Sequence, residues 1–167
     1  VMSAIGSTPL VRLTRLPGQH DAEVWVKLEG ANPTGSMKDR MALAMIEGAE
    51  KRGDLKAGGR VVEYTGGSTG SSLAMVCAAK GYKAHFVSSD AFAESKLATM
   101  RAFGAEVEVF PSANRMITKE LIQSLLDRVA ELATEPNTFR TDQFNNPDNR
   151  SAYHAMAEEI IRDLDGA

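Results

Sequence analysis

The sequence has 167 residues, 43% of them apolar and 25% charged, which is ordinary for a globular chain and enough for one domain with a sizeable core. A net charge of −3 offers no basic field to attract nucleic acid. No apolar run approaches the length of a membrane span.

Alternation of side chains predicts two early strands over residues 10–14 and 23–29, split by a loop around Pro17-Gly18. A helix follows over residues 37–52. Ser36 is its expected N-cap, Asp39 the N3 partner, and Gly53 the left-handed stop after Lys51 and Arg52. Beyond Gly58-Gly59 the pattern becomes strand 60–64, helix 71–80, strand 82–87, helix 94–103 and strand 106–110, with Gly81 and Gly104 as helix stops. Leu97 and Met100 are expected to point inward. Ile117, Leu121, Leu125, Val129 and Leu132 recur at helical spacing and predict a long amphipathic helix over 115–133. A short strand at 138–141 and a last helix over 150–164 complete the reading.

Strands alternating with helices predict an α/β fold, a parallel sheet covered by helices on both faces, with right-handed crossovers. Ligands in such sheets bind beyond the carboxyl ends of the strands. That rule directs attention to the turn after Tyr64 and the segment after Arg140. There is no internal repeat and no low-complexity segment.

Cys77 is the single cysteine, which fits a reducing, cytoplasmic setting. Val1-Met2-Ser3-Ala4-Ile5-Gly6 has no basic stretch followed by an apolar one, so no signal peptide is expected. His20, His85 and His154 lie far apart, without zinc-type spacing. Met37, Met41 and Met45 read as core packing on one helix face. Cys77 reads as a buried, inert thiol, Trp25 as core or interface, and Glu94, Lys96 and Arg101 as a solvated face.

Three segments can carry chemistry. Lys38 stands in the first turn of a helix, just after the Pro33-Thr34-Gly35 turn. The helix macrodipole is positive there, so a lysine is either tolerated by solvent or wanted for its amine, a nucleophile when neutral. Thr65-Gly66-Gly67-Ser68-Thr69-Gly70 joins a strand to a helix and offers backbone N–H groups and hydroxyls to an anion. It is neither a Walker A loop nor a dinucleotide fingerprint, which argues against a nucleotide-binding domain. Gln143, in Gln143-Phe144-Asn145-Asn146-Pro147, could donate its amide to a carboxylate. Taken singly, these read first as a solvated lysine paired with Asp39 or a nearby carboxylate, a tight strand-to-helix turn and a solvated loop glutamine.

Taken together, and in this order, they resemble the fold-type II pyridoxal phosphate enzymes, in particular the cysteine synthase and cystathionine β-synthase family. Gly6-Ser7-Thr8-Pro9-Leu10-Val11 resembles the family's opening G-x-T-P-L-V. Residues 29–40, from Glu29 through Asn32-Pro33 and Ser36 to Lys38-Asp39-Arg40, resemble its E-x-x-N-P-x-x-S-x-K-D-R run. Thr65 to Gly70 matches its T-S-G-N-T-G loop, and Gln143 to Asn149 its Q-F-x-N-P-x-N segment. The resemblance covers nearly the whole sequence.

The resemblance implies a tryptophan synthase β-like fold. Residues 1–40 would belong to a large cofactor domain, 41–141 to a small α/β domain with the substrate loop, and 142–167 to a return toward the large domain. It implies pyridoxal 5'-phosphate in Schiff-base linkage to Lys38, which would also take the α-proton of a bound amino acid. Ser68 would contact the cofactor, and Thr65, Gly66, Ser68, Thr69 and Gln143 would hold the substrate. The implied reaction is β-replacement on an activated serine, O-acetylserine or similar, through an aminoacrylate to which a thiol or sulfide adds. A homodimer is the implied assembly, with no metal, nucleic acid or membrane partner. Serine/threonine dehydration, a cystathionine β-synthase-like reaction and an inert binding module are the alternatives.

Two departures accompany the resemblance. Gly66 stands where the family has Ser, and Ser68 where it has Asn, a residue that faces the cofactor ring hydroxyl; this favours a divergent subfamily. The family also runs on into a second half, with a Gly/Thr-rich phosphate cradle and a contact to the pyridine nitrogen. Neither motif occurs here. The sequence is therefore expected to be the N-terminal half of such an enzyme, a fragment, a proteolysed form or one piece of a split protein, binding the cofactor weakly by itself and inactive.

Overall fold

The computed structural model describes residues 1–18 and 20–164. Residues 165–167, the end of the expected return segment, lie outside the described residues. The first strands are β1 (Leu10–Arg12) and β2 (Trp25–Lys27), an antiparallel pair in which Val11 faces Val26. Both strands are shorter than expected. Trp25, expected as core or interface, is 39% exposed, with its indole N–H donated to Glu23.

Helix α1 (Lys38–Arg52) follows, then β3 (Arg60–Tyr64), α2 (Ser68–Lys80), β4 (Lys83–Ser89), α3 (Glu94–Ala102) and β5 (Glu106–Phe110). Helix α4 (Lys119–Leu132), β6 (Thr138–Arg140), α5 (Pro147–Ser151) and α6 (His154–Asp163) complete the described chain. Helices α1 and α2 end on Gly53 and Gly81, both at φ +79°, where the left-handed conformation lets the glycine N–H cap the last turn.

The second sheet has four parallel strands in the order β5-β4-β3-β6. Val61 and Phe86 point to one face, toward a core built with Met41, Met45, Ile46, Leu73 and Val76 of α1 and α2. Val62 and Val87 point to the other, against Leu125, Val129 and Leu132 of α4. Helix α2 lies between α1 and the sheet. Its run of small residues, Ser71, Ser72, Ala74 and Cys77, is buried because both sides are covered. The parallel sheet covered on both faces matches the expectation.

The chain leaves β3 toward β4 through α2 and returns to β6, on the other side of β3, through α4 on the opposite face. The carboxyl ends of β3 and β6 are thus the point where the strand order reverses, and a crevice opens there.

Four local expectations are corrected. The long helix begins at Lys119, capped by Thr118, whose hydroxyl accepts the Leu121 N–H at 3.2 Å. It cannot start at 115, because Asn114 and Arg115 are left-handed at φ +55° and +57°. The expected helix over 150–164 is two helices: Pro147 starts α5, Asn146 caps it, and the chain breaks at Ala152-Tyr153. Ser36 and Asp39 do not form a reciprocal cap. The Ser36 hydroxyl accepts the Lys38 N–H at 3.1 Å, while the Asp39 carboxylate turns back to Thr34, accepting its N–H and hydroxyl. Finally, Met41 and Met45 are fully buried, but Met37 is 41% exposed at the helix start.

Candidate active site

Lys38, Tyr64, Thr65, Gly66, Gly67, Ser68, Thr69, Gln143 and Phe144 line a cavity of about 200 Å³ at this crevice. All the site residues expected from sequence, Lys38, Thr65, Gly66, Ser68, Thr69 and Gln143, are therefore brought together. Lys38 arrives from the first turn of α1. Residues 65–69 come from the β3–α2 turn, and Gln143 from the turn after β6.

Lys38 is half-buried, and its ammonium makes no ion pair or hydrogen bond among the described residues. The alternative of a pairing with Asp39 is not met among the described residues, because Thr34 takes that carboxylate.

The hydroxyls of the loop differ in role. Thr65 is buried, and its Oγ1 accepts the N–H groups of Gly67 (3.3 Å) and Gly70 (3.0 Å), so it shapes the turn. Thr69 donates its hydroxyl to Gln143 Oε1 at 2.8 Å. Ser68 is half-buried and has no side-chain partner among the described residues. The N–H groups of Ser68 and Thr69 also lack an acceptor there, whereas Gly70 and Ser71 are satisfied by Thr65 and Gly67. Two open N–H groups at the positive end of a 13-residue helix form a local anion site.

Gln143 is 8% exposed, which corrects its plain reading as a solvated loop residue. One N–H of its amide goes to Tyr64 O at 3.1 Å, and its oxygen is taken by Thr69. One amide N–H remains for a ligand. Burial, then the neighbouring Glu63 charge, pushes the Tyr64 phenol up, and its ring packs beside Phe92 against the Val62 and Val87 core.

Sequence reasoning missed the groups that hold this site in place. Arg40 donates to Glu29 through Nε and Nη2 (2.8 and 2.9 Å) and to Glu159 through Nη1 and Nη2 (both 2.8 Å). Lys27 adds an ion pair to Glu159 at 2.9 Å. Asn32 accepts the Gly6 N–H, and Thr8 donates to Glu29 at 2.6 Å. Arg40 sits well above its ordinary value, first through hydrogen bonding to Glu159 and then to Glu29. Hydrogen bonds from Arg40, against burial and with help from Lys27 and the Ser7 N–H, hold the Glu159 carboxyl far below the usual range. The Gly6 to Val11 and Glu29 to Arg40 motifs are thus joined to α6 by one ion cluster that fixes the start of α1. The signal available in the sequence was Arg40 two residues after Lys38; its partner Glu159 stands in another helix, beyond the reach of spacing.

Among the described residues, no group of three His, Cys, Asp or Glu side chains is placed to hold a metal ion, and no helix is long and apolar enough to cross a membrane.

The sequence matches the family described as pyridoxal-phosphate dependent enzyme over residues 1–167. Cysteine synthase B of Escherichia coli (strain K12) is 45% identical over 151 residues, which cover 90% of this chain and 48% of that protein. Among solved structures, O-ureido-L-serine synthase superposes with a TM-score of 0.87 at 39% identity, covering 97% of this chain and 49% of that one. Cysteine synthase from Entamoeba histolytica superposes with a TM-score of 0.89 at 33% identity, covering 99% of this chain and 49% of that one. The chain spans about half the length of the curated relatives it matches.

Proposed function

The chain belongs to the family of pyridoxal-phosphate dependent enzymes, and from that premise we propose that it supplies the substrate-binding side of an enzyme exchanging the β-substituent of an activated serine. O-acetylserine is the proposed substrate and a thiol or sulfide the incoming group. The observation that carries this reading is the shared cavity: an unpartnered lysine amine faces a helix-start anion site and the buried amide of Gln143. The names of the relatives agree with it. Cysteine and O-ureido-L-serine both carry a heteroatom on the β-carbon, sulfur in one and oxygen in the other.

The cofactor fits the residues present on one side. Lys38 Nζ has no competing partner, and a Cβ added at Gly67 would meet nothing closer than 3.7 Å, so the loop leaves room beside Ser68. Pyridoxal phosphate, when bound, supplies the electron sink for negative charge at the substrate α-carbon. Lys38 Nζ would hold the cofactor and then move the α-proton, taking it as the β-substituent leaves and returning it after the nucleophile adds. The N–H groups of Ser68 and Thr69, with the remaining amide N–H of Gln143, would bind and orient the substrate carboxylate. Their charge-assisted bonds contribute roughly 1.5–3 kcal/mol each. Ser68 Oγ would stand toward the cofactor ring.

Borohydride reduction of the protein with pyridoxal phosphate, followed by peptide mapping, tests this reading. One pyridoxyl group on Lys38 is the expected result; labelling spread over surface lysines with none on Lys38 rejects it. Absorbance changes on adding O-acetylserine, serine or O-phosphoserine then rank the leaving groups.

A further inference from the structure

Glu63 is a buried carboxylate that the proposed chemistry does not use. It lies in β3, one residue before the cavity wall begins, and is 3% exposed. Glu29 and Glu159 are matched by the Arg40 guanidinium. Glu63 instead has no ion pair among the described residues, and Arg140 on the adjacent strand turns to Asp142. Three uncharged donors meet Glu63. Its Oε1 accepts the Tyr64 N–H at 3.0 Å, and its Oε2 accepts the Thr141 hydroxyl and the Gln143 N–H, the latter at 3.0 Å.

The two groups on Oε2 flank Asp142, which sits in the left-handed region at φ +46°. A residue with a side chain holds that conformation only when its surroundings impose it. Here they do so from both directions. One carboxylate oxygen clamps the residues before and after Asp142. Asn146 and Asn149 donate to the carbonyls of Thr141 (2.9 Å) and Gln143 (2.6 Å). The turn so fixed delivers the Gln143 side chain to Thr69 and to Tyr64 O. Glu63 therefore ties the exit of β3, which carries the loop, to the exit of β6, which carries the glutamine.

We propose that Glu63 is a positioning residue for recognition of the amino-acid carboxylate: by clamping the Thr141–Gln143 turn it holds the Gln143 amide at the helix-start anion site. This inference rests on the functional reading above. It predicts a defect confined to ligands that carry a free carboxylate, which general destabilisation would not produce.

The test titrates the cofactor-loaded protein with L-serine and with L-serine methyl ester, reading the absorbance of the bound cofactor. Glu63→Gln keeps the shape but turns a donor toward donors. It is expected to raise the dissociation constant for L-serine about tenfold and to change those for the ester and the cofactor less than about twofold. No change for L-serine, or equal weakening of L-serine and ester, overturns the proposal. Thr141→Val removes one donor and leaves the carboxylate in place; it is expected to act in the same direction and carries the test if Glu63→Gln does not fold. If neither the 167-residue chain nor a longer protein that contains it takes up cofactor, the functional reading fails by itself. Hydrogen exchange at the Gln143 amide in the cofactor-free chain then decides for Glu63. Exchange about tenfold faster in either variant supports the clamp, and unchanged exchange overturns it.

Discussion

Gly66 and Phe92 exclude any side chain between them: a Cβ added at Gly66 would lie 2.4 Å from two carbons of the Phe92 ring and 2.8 Å from a third. The demand for glycine comes from the neighbour, because Gly66 is not among the positive-φ glycines. Phe92 cannot easily withdraw. Its ring stands 6.4 Å from that of Tyr64 and packs against the core formed by Val62, Val87 and α4. The glycine that departs from the serine of the resembling family is thus one half of a matched pair, with an aromatic ring in the space of the missing side chain.

Gly66→Ser is expected to destabilise the fold by about 1–3 kcal/mol through overpacking. Phe92→Ala should remove most of that penalty, so the double variant is more stable than the two single effects predict. Denaturant unfolding of the four chains measures the coupling. Simple additivity would show that the ring moves aside freely.

Lys38→Ala should leave stability within about 0.5 kcal/mol of the wild type, because the amine has no partner to lose. Borohydride reduction with pyridoxal phosphate should then leave no pyridoxyl group on the α1 peptide. The unsubstituted 167-residue chain is expected to bind the cofactor weakly. Among the described residues Lys38 is the one charged residue lining the cavity, so the phosphate finds no guanidinium or second ammonium among them. Tight binding by this chain alone, measured by equilibrium dialysis, would contradict that.

The Arg40 cluster should make the fold acid-sensitive. Glu159 is held low by Arg40 despite burial. Glu29 is also low: burial raises it, but hydrogen bonds from Arg40, Thr8 and Asn32 outweigh that. A carboxyl depressed in the folded state contributes stability above its unfolded value, near 4.5, and loses it as pH falls toward the folded value. The denaturant midpoint should therefore drop steadily below about pH 5. Glu159→Gln should cost about 3–5 kcal/mol at neutral pH, because it leaves Arg40 buried with one carboxylate fewer, and should flatten the acid slope. An unchanged slope would place the acid sensitivity elsewhere.

Cys77 should be inert in the native state. It is fully buried, and burial pushes its thiol up to about 12. At pH 8 a disulfide reagent should react no faster than the chain opens, and denaturant should release one fast-reacting thiol.

The strand–helix alternation was legible from residue 60 onward because its markers are local. Gly53, Gly81 and Gly104 end helices at positive φ, and the spacing of Leu121, Leu125 and Val129 marks a buried face. Boundaries failed where a conformational detail intervened. Asn114 and Arg115 in the left-handed region delayed α4, and Tyr153 separated α5 from α6. The residues that line the cavity were legible through the order of their motifs, but their separate contacts were not. Thr65 and Thr69 read alike as hydroxyls, yet one closes the turn and the other holds Gln143.

What the sequence determined by itself was the order of strands and helices through β6 and the position of Lys38 at a helix start after a Pro/Gly turn, because periodicity, turn chemistry and capping act over a few residues. The tertiary structure alone decided which groups meet. Arg40 reaches Glu159 across 119 residues and Glu63 reaches Gln143 across 80. Both depend on how the elements are brought together, β6 beside β3 in the second case. A strand's hydrophobic pattern specifies which face is buried but not which strand becomes its neighbour, so the clamp on Gln143 and the ring against Gly66 exist only once the sheet has closed.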